Sequence, residues 1–322
     1  MKLQVKHILN LGFLLAVLAS ASCQKDTGEA VEFRVPQYTA ELEPKAVVRD
    51  AGFVDGDAIG VLGYYIPAGV AWSDYKATAK PDFMYNQRVS YVDAAWTYSP
   101  QMYWPQIDGA KVNFYSYFPY SDGTAETGVV KISAKDQAGE PGFNFVLNEN
   151  ADVDLMVARA EGCSSASGSV SLPFKHILGK LQFKFSVSNP GGFSYVVNKI
   201  HVMKTPKEAA FSWNGDEFDV SSTGSIEVSA GEQGLGCLID STDPQLVEDF
   251  TMFLMPSDLG RVQVTINNEA AQEVDLSEYK IESGKVLTVS FVINLSGISF
   301  TTEINDWVDG GTYTSGSGQY IG

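Results

Sequence analysis

The sequence predicts an all-β protein made of antiparallel sandwiches, on three observations: apolar and polar residues alternate at period two, turn pairs separate the alternating runs, and helical spacing is scarce. Alternation is what a strand shows when one face meets a core and the other meets water. The clearest strand sets Leu181, Phe183, Phe185 and Val187 against Gln182, Lys184, Ser186 and Ser188. Others run through Val112, Phe114 and Phe118, through Val262, Val264 and Ile266, and along the apolar stretch 286–295. Between them, Asp55-Gly56, Asp108-Gly109, Asp122-Gly123, Asn214-Gly215 and Ser283-Gly284 can supply the positive φ of tight turns. Trp213-Asn214-Gly215-Asp216, set between Phe211 and Phe218, gives the strongest hairpin prediction. Strands this short and frequent point to sandwiches or barrels rather than parallel sheets.

The N-terminus reads as an export signal. Met1, Lys2, Lys6 and His7 precede an apolar run at 8–18, eleven residues against the roughly twenty a membrane-spanning helix needs. Ser20, Ala21, Ser22 and Cys23 then form a small-small-small-Cys lipobox, which makes residues 1–22 a cleaved signal peptide and Cys23 the lipid attachment point. Diacylglyceryl and palmitate-type chains together anchor stably where one chain would not. Residues 25–30 are a polar tether, and 310–322 form a Gly/Ser/Thr-rich tail.

Removing the signal leaves 300 of 322 residues, which the length prior divides into two domains of about 140. The Gly/Ser-rich run 162–171 interrupts the strand pattern where a linker is expected, so the boundary is drawn near Gly168. The organisation read is 1–22 signal, 23–49 lipidated tether and first strand, 50–167 N-terminal sandwich, and 168–322 C-terminal sandwich with its tail.

Composition and charge argue against several functions. A net charge of −17 and a pI near 4.5, with no basic stripe, oppose nucleic-acid binding. Beyond the anchor only Cys163 and Cys237 remain; an oxidising compartment permits pairing, but placement in different domains favours free thiols. Beyond the signal only two histidines remain, His176 and His201, and with no HExxH or CxxC spacing they make a zinc site improbable; no cofactor is implied. Both read as strand-end histidines bonded locally. Asp55 with Asp57 reads as a turn and Asp152 with Asp154 as a strand edge, since neither follows a calcium-loop spacing. Scattered carboxylates alone give an enzyme little support.

The richest feature is the aromatic block WTYSPQMYWPQIDGAKVNFYSYFPY at 96–120. Trp96, Tyr103 and Trp104 could form a ligand platform, because an aromatic face suits a pyranose. Equally, aromatics build sheet cores.

Five ordered stretches, FVDGDAIGVLGYY at 53–65, WTYSPQMYWP at 96–105, KVNFYSYFPY at 111–120, DVDLMVA at 152–158 and LPFKHILGKLQFKF at 172–185, resemble the fimbrillin family of Bacteroidetes, the lipoprotein precursors of type V pili and their minor subunits. The resemblance implies two transthyretin-like β-sandwich domains, lipoprotein export and a structural or adhesive role without catalysis. It also implies maturation by an Arg-specific outer-membrane protease that removes the anchor with the first strand. Of two candidates, Arg34 would lie inside a strand formed by Val31, Phe33 and Val35 and be protected, so the cut is carried to Arg49.

Excising Val31, Phe33 and Val35 would expose a groove able to accept a strand from another fimbrial subunit. The tail after Trp307 is the candidate donor, with Tyr313, Tyr320 and Ile321 as plugs; its sparse alternation also allows a tip, anchor or accessory subunit. Gln24-Lys25-Asp26 is similar to the tag that directs Bacteroidetes lipoproteins to the outer membrane surface. The second reading is a surface glycan-binding lipoprotein, with host or bacterial surface glycans or proteins as partners.

Overall fold

The computed structural model describes residues 28–35, 53–189, 194–294 and 297–307. Among them the only α-helix is the four-residue Trp72–Tyr75; the remaining regular structure is strand and three single-turn 3-10 segments. The expected all-β class is what folds.

The first sheet has six strands in the order Lys175–His176, Met156–Cys163, Lys111–Phe118, Ala58–Ile66, Met84–Val92 and Ala95–Thr97. Its middle strands are apolar on both faces. Val112, Phe114 and Phe118 join a core with Ile59, Val61, Met156 and Ala158, whereas Tyr115 and Tyr117 join a second core with Leu62, Tyr64 and Val157. This explains why alternation breaks down after Phe114, where Tyr115 and Tyr117 are apolar-facing too: a strand covered on both sides has few water-facing positions.

Beside the two-stranded pairs Phe33–Arg34 with Val170–Ser171 and Ser257–Asp258 with Lys280–Ile281, two further large sheets carry most of the rest. One pairs Gly179–Val187 with Lys285–Asn294, Gln245–Leu246 and Met252–Leu254, with Gly297–Asp306 beyond Lys285–Asn294. The other is organised on the eighteen-residue strand Tyr195–Ser212, which pairs with Glu217–Ser229, Cys237–Ile239, Arg261–Ile266 and Gly142–Val146. Strands from both sides of residue 168 thus share a sheet, and the larger core runs from Tyr117 through Phe143, Phe211 and Trp213 to Phe183, Phe250 and Phe291.

Three differences from the sequence reading have physical causes. Gln182, Ser186 and Lys180 are buried, so Gly179–Val187 is covered on both faces and not half-solvated. The same strand lies parallel to Lys285–Asn294, a pairing the antiparallel expectation did not include. The Gly/Ser-rich run, expected to be a linker, contains the 3-10 turn Ser165–Ser167 and the strand Val170–Ser171.

The predicted hairpin forms as expected, with Ser212 opposite Glu217, Phe211 opposite Phe218, and Gly215 and Asp216 at φ 112° and 56°. Its tip docks on the first sheet. Arg159 Nη1 donates to the Trp213 carbonyl at 2.6 Å, Lys175 Nζ meets Asp216 Oδ2 at 2.5 Å, and the Trp213 ring lies 5.6 Å from Tyr115.

Gly60 is required by packing. A Cβ there would sit 2.2 Å from the Tyr117 ring, whose hydroxyl is fixed at 2.6 Å from Asn86 Oδ1. Gly60→Ala should therefore cost about 1–3 kcal/mol through forced repacking, read as a lower denaturant midpoint with an unchanged slope. An unchanged midpoint would show that Tyr117 can move aside.

The same region predicts an alkaline transition. Burial pushes Tyr64 up to about 12, and burial is also the leading cause of the raised values of Tyr115 and Tyr117. The folded chain holds these phenols protonated beyond the unfolded value of 10.0, so their contribution is complete below pH 10; that of Tyr64 is lost as pH rises through about 12, and those of Tyr115 and Tyr117 at higher pH still. Unfolding free energy measured from pH 8 to 12 should be flat to about pH 10 and fall beyond it; a flat profile to pH 12 would contradict the burial argument.

Candidate functional site

The smaller core is closed by a piece of chain from far outside it. Residues 29–35 run extended across the face of the first sheet, with the strand Phe33–Arg34 at their centre. Alternation sends Val31 and Phe33 inward, at 0% and 6% exposure, and leaves Glu32 and Arg34 in solvent. Phe33 packs edge-on against Phe114 at 5.4 Å and beside Tyr98 at 5.5 Å. Val35, half-buried, completes the apolar side.

The backbone of this segment is bonded on both flanks. On one side Val31 N donates to the Met102 carbonyl at 2.9 Å and Trp104 N to the Glu29 carbonyl at 3.0 Å. On the other, Val170 N donates to the Glu32 carbonyl at 2.7 Å and Leu172 N to the Arg34 carbonyl at 2.9 Å, in parallel register with Phe33 opposite Val170. Two side chains add to this: Tyr98 Oη and Gln101 Nε2 donate to the Val31 carbonyl at 2.7 and 3.2 Å.

Magnitudes show what this groove demands. Two buried anchors contribute roughly 1.5–3 kcal/mol each, and every hydrogen bond about 0.5–1.5 kcal/mol net. Together these approach the whole stability of an ordinary domain, about 5–15 kcal/mol. An empty groove would leave Met102 O, Trp104 N, Val170 N and Leu172 N without their partners beside open apolar pockets, so it must be occupied.

The placement of the sequence-predicted residues follows. Val31, Phe33 and Val35 come together as expected. Trp104 does not belong to a ligand platform: at 1% exposure its ring is in the core, 6.0 Å from Phe114. Tyr103 is 37% exposed and bridges Ala30, while Trp96 is half-buried against Phe53 and Tyr91, so the three expected platform residues do not share a surface. Cys163 and Cys237 are both free. Asp57 accepts from Val54 N in a turn, Asp152 from Asn148, and Asp154 pairs with His176 at 2.8 Å, whose ring stacks on Trp307 at 3.6 Å. His201 lies 3.2 Å from Gln263 Oε1. Cys23, Arg49, Tyr313, Tyr320 and Ile321 lie outside the described residues.

Sequence reasoning missed four contributors. Tyr98 and Gln101 were submerged in the aromatic block, Val170 was hidden in the Gly/Ser-rich run, and Leu172 follows directly after it. The signal for the last two was present, since Ser169-Val170-Ser171-Leu172 alternates.

Comparison with known proteins matches residues 45–307 to the fimbrillin-like family model. The chain belongs to the fimbrillin-like family. Fimbrium subunit Fim1C of Phocaeicola vulgatus is 24% identical over 200 residues, which cover 56% of this chain and 50% of the relative, so the match spans half the length of that protein. A fimbrial protein from Bacteroides vulgatus superposes with a TM-score of 0.63 at 17% identity, covering 86% of this chain and 99% of its own. A protein assigned to cell adhesion from Bacteroides uniformis gives 0.57 at 18%, covering 88% and 99%. At these identities the two structures establish the shared fold. Among the described residues no helix is long and apolar enough to cross a membrane.

Loss of the Phe33 ring should loosen the strand before it affects the body. Phe33→Ala removes about 3–5 kcal/mol of packing, so tryptic cleavage after Arg34 should accelerate by roughly a hundredfold or more. The same digestion of Val54→Ala, an exposed site, should not change. Equal rates for Phe33→Ala and the unaltered chain would mean that Phe33 does not hold the strand.

Proposed function

We propose that this fimbrillin is a pilus subunit that assembles by strand replacement, with residues 29–35 serving as the provisional occupant of an acceptor groove. The observation that carries this reading is the two-flank bonding of those residues around buried Val31 and Phe33. Cleavage after Arg49 would separate that strand, and the lipid anchor at Cys23, from everything that follows. A strand from another subunit would then enter the vacated groove by main-chain pairing and apolar keying.

The groove sets requirements on its donor. It takes large apolar side chains two positions apart, as Val31 and Phe33 are. Within residues 308–322 the large groups are Val308, Tyr313, Tyr320 and Ile321, and no two stand at that spacing. The donor for this groove is therefore better supplied by a different subunit, which favours a tip, anchor or accessory position over a stalk built only from this chain. Before processing, the acylated precursor would sit on the outer membrane surface.

The lipid-free precursor treated with an Arg-specific protease tests this directly. Trimming after Arg49 should release residues 29–35, lower thermal stability, and allow a synthetic peptide of residues 28–35 (GEAVEFRV) to restore it. The peptide with serine at the positions of Val31 and Phe33 should fail. If the trimmed chain neither loses stability nor binds the peptide, assembly through this groove is wrong.

A further inference from the structure

Beside the inserted strand lies an open cleft of about 810 Å³, within the range of roughly 300–1,000 Å³ that takes small organic ligands. One wall is the solvent face of the strand itself, carrying Glu32 and Arg34. The opposite wall is the hairpin made by Met84–Val92 and Ala95–Thr97, where Tyr91 pairs with Trp96 and their rings lie 5.1 Å apart. A two-residue turn with Asp93 and Ala94 at φ 51° and 61° fixes that hairpin tightly.

We propose that this cleft binds a short pyranose saccharide and that the strand occupying the groove is half of the site. A pyranose has an apolar C–H face and a rim of hydroxyls. Partly exposed Trp96 and Tyr91 match the face. The Glu32 carboxylate accepts, and the Arg34 guanidinium donates through a planar fork, to neighbouring hydroxyls on the rim. A peptide ligand is disfavoured because the carbonyls of Val31, Glu32 and Arg34 are already bonded to Tyr98, Gln101, Val170 and Leu172.

The arrangement has a consequence for assembly, which rests on the strand-replacement reading. Glu32 and Arg34 depart with the strand when the groove is emptied, so saccharide binding and retention of this strand favour each other reciprocally. Any replacement strand would bring its own outward-facing residues to the same wall and so reset the specificity.

Saturation-transfer NMR of the intact, uncleaved chain with cellobiose, maltose, lactose and diacetylchitobiose tests the site. At least one should bind, and Trp96→Ala and Glu32→Gln should each weaken it by about tenfold or more. Glu32→Gln alters a solvent-facing residue, and an unchanged thermal midpoint in that variant guards against loss of fold. Trimming after Arg49 should abolish binding. No binding up to roughly 10 mM, binding of short peptides in place of sugars, or equal binding by Glu32→Gln and Trp96→Ala would overturn the site. Equal binding by the trimmed chain would overturn the strand's part in it. Because the intact chain exchanges no strand, a failure here leaves strand replacement standing, and failed assembly leaves the binding result standing.

Discussion

A sheet that is apolar on both faces must be covered twice, and the rest of this molecule follows from how that is done. Lys111–Phe118 presents Val112, Phe114 and Phe118 to one side and Tyr115 and Tyr117 to the other. Leaving either side in water would expose several large side chains at about 25 cal/mol for each Å². One side is covered permanently, by Phe143, Phe211 and Trp213 from strands continuous with the second half of the chain. The other is closed by residues 29–35 near the N-terminus, held by the packing of Val31 and Phe33 and by hydrogen bonds to both flanks.

That asymmetry separates an extensively fastened cover from a short one. The permanent cover is long, and it is fastened at the hairpin tip by Arg159 and Lys175 as well as by aromatic contact. Those ion pairs are half-exposed and weak individually; their role is to orient a tip whose burial of Trp213 supplies the energy. By contrast the N-terminal cover depends on Val31, Phe33 and a short run of main-chain bonds. Its binding energy is large enough to close the core and is supplied by a few neighbouring residues, which is what the proposed strand replacement requires.

Much of this was legible in the sequence. Period-two alternation located Val31, Phe33 and Val35 and the strand at 261–266, because each has one face against water, and the Asn214-Gly215 turn pair located the hairpin at Trp213 to Asp216. Alternation failed where both faces are buried, as in Gly179–Val187, since Gln182 and Ser186 look solvent-facing by type while the fold covers them. The groove walls were harder still. Val170 lies in, and Leu172 just after, a Gly/Ser-rich run whose composition suggests a linker, and only parallel pairing with a strand about 140 positions earlier gives them meaning. Pairing over that separation leaves no local signature.

The aromatic block shows why composition alone misassigns a site. Its rings divide by strand parity and turn geometry: Trp104 goes into the core beneath the inserted strand, Tyr98 turns its hydroxyl to the Val31 carbonyl, and Trp96 stays at the cleft. A single run of sequence thus builds both the floor of the groove and one wall of the neighbouring cleft. The strand that fills the groove necessarily forms the other wall, because its inward residues must be apolar to key into the core and its outward residues face the cleft. Under the proposed strand replacement, exchange would change both surfaces in one step, with no separate conformational device needed to couple them.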